Sequence, residues 1–340
     1  MIRYPHEQPP GEGEAIEMAE GVLWMRLPLP MALDHVNVYA LDEGDGWTIV
    51  DTGFDSRRSR AIWQGLIDGP LRGLRVRRVI GTHHHPDHIG LAGWFMAQQD
   101  AELWMSRTAW LTARMLVLDE QGVPSPQSLD FWRKAGMPSD LLERRAAERP
   151  FNFADSVHPL PLGFTRLTDG DRVSFGGRDW RVWMGDGHAP EHATFWSEDD
   201  DLVLGGDQLL PSISPNLGVY PTEPEADPVG DWLASCRRFA ELAEDRHLIL
   251  PGHKLPFYGL PLRLKQLIDN HIGALDRMTS ALRDGPRTAV GCFDIIFKRR
   301  IGEGEFGLAL VEAVAHINRL RQSGTVSAVG ESDGAVLWGA

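Results

Sequence analysis

Between Thr82 and Gly90 the chain reads Thr82-His83-His84-His85-Pro86-Asp87-His88-Ile89-Gly90, and His83, His85, Asp87 and His88 have the types and spacing to share two metal ions. An extended segment turns alternate side chains to one side, so His83 and His85 converge while His84 faces away. Pro86 holds His85 extended. Asp87 suits a helix N-cap, and Ile89, Ala92 and Met96 give the next segment a helical apolar stripe. Upstream, the β-branched run Val76 to Ile80 stops at Gly81, so the order is strand, ligand loop, helix. A solvated polyhistidine loop would need neither the Asp-His pair nor the helix start.

Such a cluster needs partners from elsewhere, and the elements that could position them recur along the chain. His188 follows the strand-like Trp180 to Met184, Asp207 ends Leu202 to Gly206, His253 ends Leu248 to Gly252, and Asp51 closes Trp47 to Val50. Polar residues just past buried strands mark the rim of a site, because strands fix position and loops leave access. Each alone is an ordinary turn residue. Together with the first cluster they are a set.

In order and in type this set resembles the metallo-β-lactamase fold superfamily. The resemblance implies that His83, His85 and His188 hold one metal and Asp87, His88 and His253 a second, with Asp207 bridging and Asp51 orienting the ligand loop. Two divalent metal ions are therefore the expected cofactor. Zinc is favoured because His stands at position 85, where the flavodiiron branch places Glu, and iron or manganese suit the same donors. Charge counting fits hydrolysis: four positive charges exceed those of Asp87, Asp207 and one hydroxide, which leaves a surplus for a developing oxyanion. Metals also lower the pKa of bound water toward ~7. The expected reaction is attack of metal-bound hydroxide on a carboxylic ester or thioester, an acyl-thioester above all, with Asp87 and Asp207 catalytic and a small-molecule acyl substrate as partner.

Departures from neighbouring subfamilies narrow the class. Best-known β-lactamases carry Arg where His88 stands and Cys where Asp207 stands. Acyl-homoserine lactonases place Tyr where this chain has Leu210, which makes lactonase activity less favoured. Glyoxalase II enzymes have Cys-Gly-Arg after the bridging Asp, unlike Leu209 to Asn216 here. His192, four residues beyond His188, and Tyr220, in the loop Ser212 to Pro224, are candidates for orienting ligands or touching substrate.

The ligand motifs fall in two strand-rich halves, which are expected to stack sheet on sheet. The fold expected from the resemblance is α+β, a four-layer αββα sandwich over residues 1–255 with an insertion at about 106–158. Trp104, Trp110, Met115, Phe131 and Trp132 in or beside that insertion could wall a pocket or simply pack outside the sandwich. Residues 256–340 form a C-terminal helical unit: Leu264, Leu267, Ile268, His271, Leu275, Met278 and Leu282 keep helical spacing, and so do Leu308, Val311, Ala315 and Leu320. A short hairpin around Glu331 to Gly334 follows, so the tail is winged-helix-like and similar to the LACTB2-like branch, some of whose members are endoribonucleases.

That similarity raises an endoribonuclease or phosphodiesterase alternative, with Arg72, Arg75, Arg77, Arg78 and Lys298-Arg299-Arg300 contacting phosphates. A net charge of −14 opposes it, since nucleic-acid affinity rests on phosphate neutralisation. A third reading makes the tail a module for homo-oligomer formation or regulation. With 340 residues, 42% of them hydrophobic, the chain can bury a large core. The first twenty residues lack the apolar stretch of a signal peptide, and two cysteines, Cys236 and Cys292, suit buried thiols in a reducing compartment. The expected location is cytoplasmic, with no membrane partner.

Overall fold

Alternation of apolar side chains on both faces of the central strands builds the layers. A computed structural model describes residues 1–340. The first sheet contains β1 (Ile16–Ala19), β2 (Val22–Pro28), β3 (His35–Asp42), β4 (Trp47–Val50), β5 (Val76–Ile80), β6 (Glu102–Ser106) and β7 (Thr165–Leu167), in that spatial order. The second contains β8 (Arg172–Phe175), β9 (Arg178–Gly185), β10 (His192–Ser197), β11 (Leu202–Gly206) and β12 (Leu248–Pro251), paired in sequence order. In β3, Val36, Val38 and Ala40 face the outer helices while Tyr39 and Leu41 face the other sheet. In β11 and β12, Leu202, Leu204, Leu248 and Leu250 point to the centre while Val203 and Ile249 point outward.

Helices cover each outward face. On the first sheet lie α1 (Arg57–Asp68), the single turn α2 (Pro86–Ile89), α3 (Ala92–Gln99) and α4 (Arg107–Leu118). Next in the chain come α5 (Pro126–Ala135) and α6 (Ser139–Ala147). On the second sheet lie α7 (Pro228–Leu242) and the first half of α8 (Leu260–Asp284). The expected αββα sandwich is the observed one. β7 departs from the two-halves expectation, because it pairs in parallel with β6 and extends the first sheet.

In the first helical layer, Trp63 is fully buried edge-on to Phe95, 4.9 Å between ring centres, and its indole donates to Thr52 O at 2.8 Å. Replacing Trp63 with Ala removes the ring and orphans that carbonyl. Unfolding free energy from chemical denaturation is expected to fall by about 3–5 kcal/mol. A loss below about 1 kcal/mol would mean that the layer repacks.

The rest of the C-terminal unit comprises α9 (Phe293–Phe297), α10 (Phe306–Gln322) and a hairpin of β13 (Ser327–Ser332) and β14 (Ala335–Gly339). Asp333 and Gly334 both take positive φ, as a two-residue type I′ turn requires. Its core, with Met278, Leu282, Cys292, Leu310 and Ile317, also takes in Ala135, Met137 and Leu141 from the insertion. Of the two readings of these side chains, packing is the one observed for most of them. Trp110 is buried against Phe164, Trp104 packs toward the inter-sheet core, and Phe131 and Trp132 lie against the C-terminal helices, leaving only Met115 of the five exposed. Cys236 and Cys292 are buried free thiols, and burial pushes them up to about 12 and about 11. No helix is long and apolar enough to cross a membrane.

Candidate metal centre

The exits of β4, β5, β9, β11 and β12 bring the candidate ligands to one edge of the sandwich. β5 delivers Thr82 to His85. His85 is extended (φ −66°, ψ 147°) as the N-cap of α2, with Pro86 at the first helical position. This corrects the expectation for Asp87, which sits inside the first turn and turns its carboxylate to the centre. His84 is also less remote than alternation implies: it is buried, parallel to Phe153 at 6.3 Å, and held to about 3 by burial.

Two sets of side chains converge. His85 Nδ1 lies 3.0 Å from both His83 Nε2 and His188 Nε2. In the other set, Asp87 Oδ2 is 3.4 Å from His253 Nε2 and 3.6 Å from His88 Nε2. Asp207 stands between them, with Oδ2 3.4 Å from His188 Nε2 and 3.2 Å from His253 Nε2, and Oδ1 3.4 Å from His88 Nε2. Ligands about 2.0–2.1 Å from a tetrahedral metal are separated by about 3.3 Å, so most of these gaps match edges of a coordination shell better than hydrogen bonds.

The outer nitrogens decide where the inner lone pairs point. His88 Nδ1 donates to Asp51 Oδ2 at 2.7 Å, His188 Nδ1 to Asn216 O at 2.8 Å, and His253 Nδ1 to His35 O at 2.7 Å. Thr82 Oγ1 donates to Asp51 Oδ2 and so accepts from His83 Nδ1 at 3.0 Å. In the neutral ring each such bond leaves the Nε2 lone pair aimed inward, the arrangement that metal-ligating histidines use. His88 Nε2 and Asp207 Oδ1 are buried without a hydrogen-bond partner. A Cβ on Gly252 would stand 2.3 Å from that oxygen, so the glycine keeps space beside the centre. The three groups His83-His85-His188, His83-His88-Asp207 and Asp87-His88-His253 could each hold an ion. The donor set thus fits divalent metal.

Asp51 ties the loop to β4. It accepts from Thr82 N at 2.9 Å as well as from Thr82 Oγ1 and His88, and these bonds offset its left-handed φ of 61°. His192 is fully buried behind the ligands. Its ring stacks on His83 at 4.6 Å and its Nε2 accepts from Asp207 N at 3.0 Å, which ties it to the Asp207 backbone. Tyr220 is half-exposed on the loop before α7. Thr82, His35 and Asn216 complete the ligand supports without standing out in the sequence. Thr82 lies beside the motif, but nothing local marks the carbonyls of His35 and Asn216.

Burial depresses His83 and His85 well below the usual imidazole range, with neighbouring histidines adding to it. Burial also opposes charge on His88 and His253, but the carboxylates of Asp207 and Asp87 prevail and raise both, His253 to about 9. In the metal-free chain His253 therefore carries a proton at pH 7. A ligating imidazole must be neutral, so metal uptake at pH 7 is expected to release at least one proton, and affinity should rise with pH toward about 9. Calorimetry in buffers of different ionisation enthalpy counts the protons released. Uptake with no proton release would contradict this charge state.

This fold and this cluster define a metallo-hydrolase class. The sequence profile of the metallo-beta-lactamase superfamily matches residues 31–253, and the chain belongs to that superfamily. A second profile, the metallo-beta-lactamase-like C-terminal domain, matches residues 275–339. The chain is 36% identical to a beta-lactamase domain protein from Burkholderia ambifaria, with TM-score 0.89 over 99% of this chain and 97% of that one. It is 28% identical to a metallo-beta-lactamase family protein from Thermus thermophilus, with TM-score 0.77 over 95% and 99%. A curated relative, the probable metallo-hydrolase YqjP of Bacillus subtilis (strain 168), is 24% identical, covering 92% of this chain and 96% of that protein.

Proposed function

We propose that this protein hydrolyses a carboxylic ester or thioester, an acyl-thioester foremost, at a dinuclear centre. His83, His85 and His188 would hold one ion, Asp87, His88 and His253 the other, with Asp207 between them. Divalent ions, zinc by preference, would supply a Lewis acid for the acyl oxygen and acidify water toward neutral pH. The chain's own part is positional. Asp51, Asn216 and His35 lock ligand tautomers, His192 holds the Asp207 backbone, and burial keeps His83 and His85 neutral. Beside the ligand loop, Phe153 against His84 and the exposed Phe151 next to it form an apolar flank that suits an acyl group.

The observation that carries this reading is the convergence of the Nε2 atoms of His83, His88, His188 and His253 with the carboxylates of Asp87 and Asp207 around one space. The ribonuclease alternative has less support because four of its seven cations are already paired: Arg72 with Asp42, Arg77 with Asp45, Arg78 with Glu43 and Arg299 with Glu305. Metal quantification should find close to two equivalents per chain, and a panel of acyl-thioesters, lactones, β-lactams and single-stranded RNA should show thioester or ester turnover. RNA cleavage without ester turnover would favour the alternative. Failure to bind zinc, iron or manganese would sink the catalytic reading.

A further inference from the structure

The loop that follows Asp207 lies along α10 for most of its length. Asn216 Nδ2 donates to Leu308 O at 3.1 Å and to Glu312 Oε2 at 2.8 Å, and Val219 N donates to Val311 O at 3.1 Å. Further on, Asn318 Nδ2 holds Pro224 O and Ala226 O, Arg319 pairs with Asp227, and Arg321 pairs with Glu225. The C-terminal helix is thus a splint for a loop of the centre. Only at Asn216 does the splint reach a candidate ligand, through the carbonyl that receives His188 Nδ1.

Glu312 is the unusual member of this row. Its carboxyl is lifted by burial to about 7, and Asn216 is its one side-chain hydrogen-bond partner. A desolvated carboxyl with one partner costs stability relative to an apolar residue of the same size. Loop attachment does not need it, because Val219, Asn318 and Arg319 already secure the loop.

We infer that Glu312 is a positioning residue of the metal centre, acting from the C-terminal unit through Asn216 to set the orientation and tautomer of His188. The inference rests on the dinuclear reading above. Of the three ion-holding groups, His188 enters only that with His83 and His85, so disturbing Glu312 should weaken one ion and spare the group formed by Asp87, His88 and His253. Outer partners of ligating histidines are worth roughly 10- to 100-fold in metal affinity.

The test loads full-length protein with zinc, dialyses it against a graded chelator and counts the zinc retained. Glu312→Ala should release one equivalent at roughly 10- to 100-fold lower chelator activity than wild type while the other stays. Glu312→Gln, whose amide oxygen can still accept from Asn216, should restore wild-type retention. Asn216→Ala breaks the same link from the other side and carries the test if Glu312→Ala does not fold. The double variant should lose no more than either single one. Wild-type retention in Glu312→Ala or Asn216→Ala, loss of both ions together with a lower melting temperature, or additive losses would each overturn the inference. A wild-type chain that binds no zinc would instead overturn the dinuclear reading.

Discussion

Asp207→Asn is expected to remove hydrolysis, by about a thousandfold or more, in a chain that still folds. Asp207 faces His188 and His253 through one oxygen and His88 through the other, so it is the single side chain that joins both metal groups. Asn preserves shape but withdraws the charge that, against desolvation, raises His88 and His253. A metal centre supplies several kcal/mol of transition-state stabilisation, and each ~1.36 kcal/mol is about tenfold in rate. Metal content should fall below two equivalents while circular dichroism stays unchanged. An Asp207→Asn chain with wild-type turnover and two bound ions would remove Asp207 from the centre.

Gly252→Ala should be nearly as damaging without altering a single candidate ligand. The added methyl would stand 2.3 Å from Asp207 Oδ1 and 2.8 Å from His88 Cε1. Retreat is blocked on both sides, since Gly252 N donates to Gly206 O at 2.8 Å and Gly252 O accepts from Asn37 N at 2.7 Å. The ligands must move instead, and a displacement of about 1 Å costs about a hundredfold in rate. Overpacking also costs about 1–3 kcal/mol of stability. Turnover measured at saturating zinc, with zinc retention in parallel, checks this. Retention and turnover equal to wild type would mean that the centre has slack the distances do not show.

Much of the site is legible in the sequence. Strand exits at Asp207 and His253 are readable because short β-branched or leucine-rich runs ending in Gly or Pro have few alternatives. The four layers come from resemblance to a family, since periodicity marks a face without naming what packs on it. The insertion is harder to read, because an aromatic on a helix looks the same whether it faces a pocket or a core. Trp110 goes to the first helical layer and Phe131 and Trp132 to the C-terminal core. Asp87 has the type of a cap but not the place of one, because Pro86 occupies the first helical position and moves the boundary back to His85.

The sequence by itself determined the chemistry on offer: which residues can bind metal, in what order, and on a chain of net charge −14. It also determined the local turns that aim them, through Pro86 and the glycines after each strand. Only the tertiary structure decided that those residues converge and that their lone pairs face inward. A histidine's tautomer is set by what meets its outer nitrogen, and here those partners arrive from far along the chain: His35 for His253, Asn216 for His188 and Asp51 for His88. The same holds for the tie between α10 and the centre, because Asn216 and Glu312 are distant in sequence and meet only once both sheets and the C-terminal helices have packed.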